Sequence, residues 1–487
     1  MKRIAIIGGG ISGLTAAYEL ELARKRGAPI DWHLYEASDR LGGIIETTRY
    51  ATPEGEFILE GGPDGWVSEK PWARELAIEL GLEAELIYSN DATRKTYILV
   101  HGKLQPIPDR MRMMVPEDLS ALGGSPLFSE SAKKAYADEL ARAEELKVSA
   151  PDHDESVADF VRRHFGDEVL NTLAAPLLSG VFGGDVYKLS VRAVMPQLVA
   201  MEREHGSLIA GLQVRVEHNK RAAQPIFTSL RDGMAALVDA IVARLPSERI
   251  TKEIEPWPLE DGGWRVLAGK PDRTFLFITT YRTRSEKDIS EGVDHIILAT
   301  PLDVTRSFTG PTGIELKTYL PAKASSAILV AFAWREDVAR SFTIPSGFGF
   351  LVPDESPSEE QLLACTFVDQ KFPHRTPQGA RVMRAFFGGQ SAQNLESQPD
   401  EVIAICALQQ LREILGPIPE PAFHVVRRWP RSLPQYEVGH LERIAQLEKL
   451  VAQVPGLHLL GNSYRGVGIP DLIRDARAAA RAIVAGV

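Results

Sequence analysis

"RIAIIGGGISGLTAAYELELARKRG", residues 3–27, opens on a short β-branched run, passes through three glycines and continues as an alanine- and leucine-rich stretch with apolar residues at helical spacing. It reads as strand, turn, helix. Gly8, Gly10 and Gly13 fit G-x-G-x-x-G. Gly8 allows the tight turn, Gly10 lets a pyrophosphate approach the backbone, and Gly13 lets the helix lie close to the strand. Phosphates then rest on the helix N-terminus with Ser12, where unpaired N–H groups and the helix dipole favour an anion. The motif also requires a second strand ending in an acid, and "IDWHLYEASDRLGG", residues 30–43, supplies one that ends in Glu36, placed to accept hydrogen bonds from ribose hydroxyls.

The residues just after Glu36 select the dinucleotide. Arg40, Gly42 and Gly43 add a cation and two more glycines, a second place for guanidinium and backbone to meet a pyrophosphate. This E-x-x-x-R-x-G-G pattern resembles the extension found in flavoproteins of the glutathione-reductase-like fold, which implies FAD rather than NAD. The chain closes on a matching device. "GLHLLGN" at 456–462 reads as a buried strand running into a turn, and "IPDLIRDARAAARAIVAG" reads as an amphipathic helix with Pro470 near its first turn. In the resembled fold such a unit supplies the second half of the cofactor site. Gly461, Asn462, Gly466, Val467, Gly468 and Ile469 then hold the redox end, with the glycines at 466 and 468 letting backbone N–H groups at the helix start face the flavin and stabilise its anionic reduced form. Many relatives carry aspartate where this chain has Asn462.

Bulk properties are those of an ordinary soluble globular protein. At 487 residues, 44% hydrophobic and 25% charged, the chain has room for two to three domains. Its longest apolar runs are far shorter than the roughly 20 residues that span a bilayer, and no signal-peptide pattern opens it. Cys365 and Cys406 have no metal-like spacing and read as reduced thiols, so a cytoplasmic location and no metal are expected. A net charge of −10 without a long basic block argues against nucleic acid as a partner.

The expected organisation is α/β: a discontinuous FAD-binding Rossmann domain from 1–100, 216–300 and 425–487, a mainly helical domain at 105–215, and an α+β substrate domain at 301–424. A strand near Ile254 is expected to pass the adenine. Within the helical region "PIPDRMRMMVPEDL", 106–119, sets Met111, Met113, Met114 and Val115 beside Arg110 and Arg112. One reading is an exposed apolar and basic edge that rests on the inner face of a membrane; the other is a methionine-lined core.

Three further stretches narrow the activity: "LLSGVFGGDVYKLSV" at 177–191, "GFGFLVP" at 347–353, and "LPQYEVGH" at 433–440 followed by "GNSYRGVGIPD". Together they resemble the protoporphyrinogen oxidase family of haem biosynthesis, in order along nearly the whole chain. The resemblance implies non-covalent FAD that oxidises a porphyrinogen, protoporphyrinogen IX or coproporphyrinogen III, in three two-electron rounds, with O2 or another acceptor taking the electrons and O2 giving peroxide. It also implies that Gly62, Pro63, Ile254 and Trp429 touch the cofactor, that Gly184 presents backbone to the substrate, and that Phe348 packs on the macrocycle. Some relatives place a propionate-binding arginine where this chain has Thr96, which leaves Arg94 and Lys95 as candidate anchors. A porphyrinogen gains aromaticity on oxidation, so a positioned flavin in a dry pocket suffices, and no catalytic triad, metal cluster or paired acid and base is visible. The scattered histidines read as structural, and a backbone carbonyl or water takes the pyrrole proton. A flavin amine oxidase or carotenoid desaturase shares the fold and is the alternative reading; an amine oxidase usually needs an aromatic cage at the flavin and a lysine near its N5, and the sequence shows neither. A third reading, a non-enzymatic FAD-binding module, would not bleach with substrate.

Overall fold

The computed structural model describes residues 1–218, 225–253, 255–256, 265–268, 275–278, 281–282, 291–308, 314–353 and 360–486. Ile254 lies outside the described residues. The central sheet is parallel throughout and runs β3-β2-β1-β4-β5, with β1 (Lys2–Ile7), β2 (Ile30–Tyr35), β3 (Ile250–Thr251), β4 (His295–Leu298) and β5 (Leu457–Leu459). The strand order reverses direction at β1, and ligands of such sheets gather at the carboxyl ends beside that point. Helix α1 (Ile11–Lys25) follows β1 and is buried on nearly every face, as its run of alanine and leucine dictates. Its partner α2 (Ile469–Ala485), from the far end of the chain, packs beside it through Ile473, Ala476, Ala480 and Ile483. Full burial of each large aliphatic side chain here contributes about 1.5–3 kcal/mol. Buried Glu21 is satisfied by Trp32 Nε1 at 3.1 Å and by Arg24 at 2.8 and 2.9 Å.

A second sheet of seven strands runs Phe423–Pro434, Ala324–Trp334, Arg381–Gly388, Ala364–Phe367, Gly349–Leu351, Thr96–Val100 and Lys103–Pro106. Two expected boundaries therefore move. Residues 96–100, expected to close the first FAD segment, pair in parallel with Gly349–Leu351, and the strand that begins at Phe423 pairs with Ala324–Trp334. Backbone pairing, invisible in composition, carries both into the seven-stranded sheet.

The third body is helical, with helices at Glu130–Ala141, Val157–Val169, Pro196–His205 and Leu208–His218 around a core of Tyr136, Phe160, Phe165, Leu173 and Ile209. Of the two readings of this stretch, the methionine-lined core describes Met111 and Met114. Met114 and Val115 are fully buried in that core, Met111 packs against it, and Arg110 and Arg112 pair with Glu117 at 3.3 Å each. Of the four apolar residues only Met113 is exposed, at the tip of the hairpin made by Met111–Arg112 and Val115–Pro116, while Arg110 and Arg112 face solvent beside it. Among the described residues no helix is long and apolar enough to cross a membrane.

Candidate active site

The carboxyl ends of β1, β2 and β4 open into a cavity of about 730 Å³. Its wall takes Gly8, Gly10 and Ser12 from the first turn, Glu36 from the end of β2, Arg40, Gly42 and Gly43 from the second glycine turn, Pro63, Trp429, and Gly461, Asn462, Val467, Gly468 and Ile469 from the last turn. The first turn behaves as the motif demands. Gly8 has φ +105°, and a Cβ there would lie 2.3 Å from the carbonyl oxygen of Ala299. On Gly13 a Cβ would lie 2.0 Å from the carbonyl oxygen of Gly8, so only glycine lets α1 start against the turn. A Cβ on Gly10 would meet nothing within 4 Å, because it points into the open cradle.

The second glycine turn is pinned to the first. Gly42 N–H donates to Gly9 C=O at 2.8 Å, and Gly10 and Gly42 form a parallel bridge. Arg40 is spent on the same loop: its guanidinium donates to the carbonyls of Leu41 at 3.2 Å, Ile45 at 2.8 Å and Gly43. It shapes the cradle rather than reaching across it. Glu36 accepts from Gly9 N–H at 2.6 Å and from Ser38 N–H and Oγ at 2.8 Å, which leaves part of one carboxylate oxygen for a ribose hydroxyl. Gly62 stands behind the wall: a Cβ would lie 1.9 Å from the carbonyl oxygen of Ile44, so glycine lets this segment lie on the second turn.

At the other end, α2 starts on Gly468 as N-cap without a side-chain cap, as α1 does on Gly10. The N–H groups of Val467 and Gly468 find no acceptor among the described residues. Gly466 does not line the cavity; its φ is +148° and its N–H donates to Tyr436 Oη at 3.1 Å, so the expected contact from Gly466 is not available. Asn462 Nδ2 donates to Ser432 C=O at 2.9 Å, a bond that aspartate cannot make. Two helix N-termini without side-chain caps facing one elongated cavity, with a cradle that a single Cβ on Gly10 would fill, fit a dinucleotide with its anionic centre on α1.

Charged groups that sequence reasoning missed also line the cavity. Lys70 Nζ meets Asp471 Oδ2 at 2.5 Å at the start of α2. Asp64 is clamped by Lys371 at 3.0 Å and Arg384 at 3.1 Å; burial raises its carboxyl, but the two cations outweigh it and hold the pKa at about 2. Just behind, Glu60 pairs with Arg375, both fully buried. Asp471 could have been flagged as an acidic residue in a helix's first turn; Lys70 and Asp64 carry no pattern. The four residues expected on the substrate side also lie off the cavity. Phe348 is buried with its N–H on Lys95 C=O at 2.7 Å, Gly184 packs on Gln435, Arg94 pairs with Asp91 at 3.7 Å, and the Lys95 side chain is exposed. Among the described residues no histidine lines it. Both free cysteines lie away from it, Cys365 buried in the seven-stranded sheet.

Comparison with known proteins places this arrangement. A family model described as flavin containing amine oxidoreductase matches residues 11–484. Coproporphyrinogen III oxidase of Bacillus subtilis is 32% identical, covering 98% of this chain and 97% of the relative. The chloroplastic protoporphyrinogen oxidase 1 of Arabidopsis thaliana is 28% identical, covering 97% and 86%. A crystal structure described as a protoporphyrinogen oxidase from Exiguobacterium sp. 255-15 superposes with a TM-score of 0.81 at 30% identity, covering 100% of this chain and 99% of that one. UDP-galactopyranose mutase, at 16% identity and a TM-score of 0.69, shares the fold. With a cradle built for FAD and a family match that runs almost from end to end, this chain belongs to the flavin-containing amine oxidoreductases.

Proposed function

We propose that this protein oxidises a porphyrinogen to its porphyrin with non-covalent FAD, and that coproporphyrinogen III is the preferred substrate. The observation that carries the reading is the match, over nearly the full length of both chains, to relatives named coproporphyrinogen III oxidase at 28–32% identity. When bound, the flavin accepts two electrons as a hydride in each round, three rounds per macrocycle, and O2 is the proposed acceptor, giving peroxide.

The chain itself binds, orients and excludes water. The first turn and α1 hold the pyrophosphate through Gly10 and the helix dipole, and Glu36 holds a ribose. At the other end, the N–H groups at the start of α2 face the redox end, and Asp471 is neutralised there by Lys70. The titratable side chains on the cavity wall are engaged with partners on the protein, so the pyrrole proton leaves to water or a backbone carbonyl. The resemblance that places Gly184 and Phe348 at the macrocycle stays a proposal, since neither reaches the cavity.

Assaying both porphyrinogens side by side, by the fluorescence of the porphyrin formed, tests the reading. Turnover of coproporphyrinogen III at the higher kcat/KM is expected; a flavoprotein that bleaches with neither porphyrinogen overturns it. Acid denaturation should release free FAD, and flavin that stays with the precipitated chain would contradict non-covalent binding.

A further inference from the structure

The segment Leu433–His440 carries part of the family resemblance yet lies off the cavity wall. It leaves the end of strand Phe423–Pro434 and passes between two turns. On one side, Gln435 Nε2 donates to the carbonyl of Phe182 at 3.1 Å, the last residue of helix Ala175–Phe182, and to that of Leu433 at 2.9 Å. The Gln435 carboxamide fills the space beside Gly184, where a Cβ would lie 1.9 Å from its Oε1. Ser190 N–H donates to Tyr436 C=O at 2.7 Å and Val438 N–H to Lys188 C=O at 2.9 Å, so the segment runs as a short strand along residues 188–190.

On the other side, one hydroxyl closes the last turn. Tyr436 Oη donates to Asn462 C=O at 2.5 Å and accepts from Gly466 N–H at 3.1 Å, using both capacities of a phenol across the mouth of the turn. The Tyr436 ring stacks on His440, with centroids 4.0 Å apart and planes 9° apart, and His440 Nε2 donates to Tyr464 C=O at 2.7 Å. Three backbone groups between 462 and 466 are thus held by two buried rings from outside the turn. The N–H groups at 467 and 468, next to the cavity, keep no acceptor among the described residues.

We propose that Tyr436 is a positioning residue for the redox end of the cofactor, that Gln435 is a positioning residue for the turn at Gly183–Gly184, and that this segment holds both turns in one register. The inference rests on the proposed porphyrinogen oxidation for what each turn faces. Fixed by Tyr436, the start of α2 meets the flavin without reorganising as negative charge arrives; with the hydroxyl gone the turn relaxes and the reduced state loses more than the oxidised one.

The test is Tyr436→Phe, which keeps the ring and its stack and removes only Oη. In the holoprotein the bound FAD should show an altered visible spectrum and a lower reduction potential. A tenfold fall in the preference for the reduced form corresponds to about 30 mV for a two-electron couple. With porphyrinogen, kcat should fall about tenfold at near-constant KM. Gln435→Leu should do the opposite, raising KM about fivefold while leaving the potential unchanged. An unshifted potential in Tyr436→Phe overturns the role of Tyr436, and a shifted potential in Gln435→Leu overturns the division between the two residues. If Tyr436→Phe purifies without flavin, His440→Asn is measured in its place, where a lowered potential supports the proposal and an unchanged one overturns it. The potential is read with reference dyes and no porphyrinogen. A shifted potential in a protein inactive on both porphyrinogens would therefore sink the functional reading and spare Tyr436.

Discussion

The two glycine turns that face the cofactor cavity reach the same end by different means. Residues 8–13 are shaped from within and by their nearest strands: Gly8 fits under the Ala299 carbonyl, Gly13 under that of Gly8, and Gly10 leaves room for a ligand. Residues 461–468 are shaped from outside, by Tyr436, His440 and the Ser432 carbonyl. Where sterics hold a turn, as at Gly8 and Gly13, no side chain is tolerated. One held by hydrogen bonds loses one contact at a time and can be tuned.

The largest effect should come from the first turn. Gly13→Val drives a branched side chain into a backbone carbonyl and should cost about 3 kcal/mol or more. Loss of soluble folded protein, or a melting temperature lower by about 3 °C or more, is the expected result by calorimetry. A variant melting like wild type would break the claim that sterics rule here.

On the last turn, acid should act through His440. Burial chiefly, with nearby Arg443 and Arg465 adding to it, outweighs the bond to Tyr464 and lowers its pKa to about 4. The unfolded ring titrates near 6.5, so the unfolded chain binds the extra proton first, and stability falls as pH drops from about 6.5 towards 4, by up to about 3 kcal/mol. His164 has the opposite sign. Its ring sits between Glu139 at 3.0 Å and Glu202 at 3.1 Å, and although burial opposes the charge, those two carboxylates raise its pKa. Its contribution is complete below about pH 6.5 and is lost as pH rises through the raised value. Thermal melts across pH should lose their acid limb in His440→Phe and their alkaline limb in His164→Gln; the reverse assignment would contradict both.

Next in size, Gly10→Val should leave the fold standing, since its Cβ meets no protein atom, yet weaken FAD binding at least about 100-fold, or about 2.8 kcal/mol. Flavin occupancy read from absorbance checks this. Asn462→Asp removes the donor to Ser432 and should cost about 1 kcal/mol, a few degrees of melting temperature, with FAD retained. Smallest of all, Arg94→Ala with Lys95→Ala should change kcat/KM less than about twofold, because Arg94 is half-exposed and paired with Asp91 and neither residue reaches the cavity. A tenfold loss would restore the propionate anchor suggested by the sequence.

The same contrast explains which parts of the site are legible in the sequence. Gly8, Gly10 and Gly13 announce themselves because close backbone approach at 8 and 13 and ligand room at 10 bind them to a fixed spacing, and Glu36 can be placed because the strand length sets its position. The last turn's glycines are readable as a turn, but the direction of the Gly466 N–H depends on Tyr436, and no periodicity links the two. Arg40 reads as a ligand contact, yet the loop carbonyls of Leu41, Gly43 and Ile45 claim its donors first. Composition cannot show that Thr96–Val100 joins a strand near 350, because non-local pairing leaves no local trace. Met114 is ambiguous for a related reason: a methionine looks the same in a core as on an edge.

The central sheet places β5 beside β4, and α2 beside α1, although the chain makes them last. Ribosomes add about 5–20 residues per second, so 487 residues take about 25–100 s to emerge. For nearly all of that time the nascent chain carries α1 with its apolar flank uncovered and half a cofactor cradle. A cofactor that spans both turns can therefore be locked in only once α2 has emerged, and until then the flank of α1 that α2 covers stays open to water.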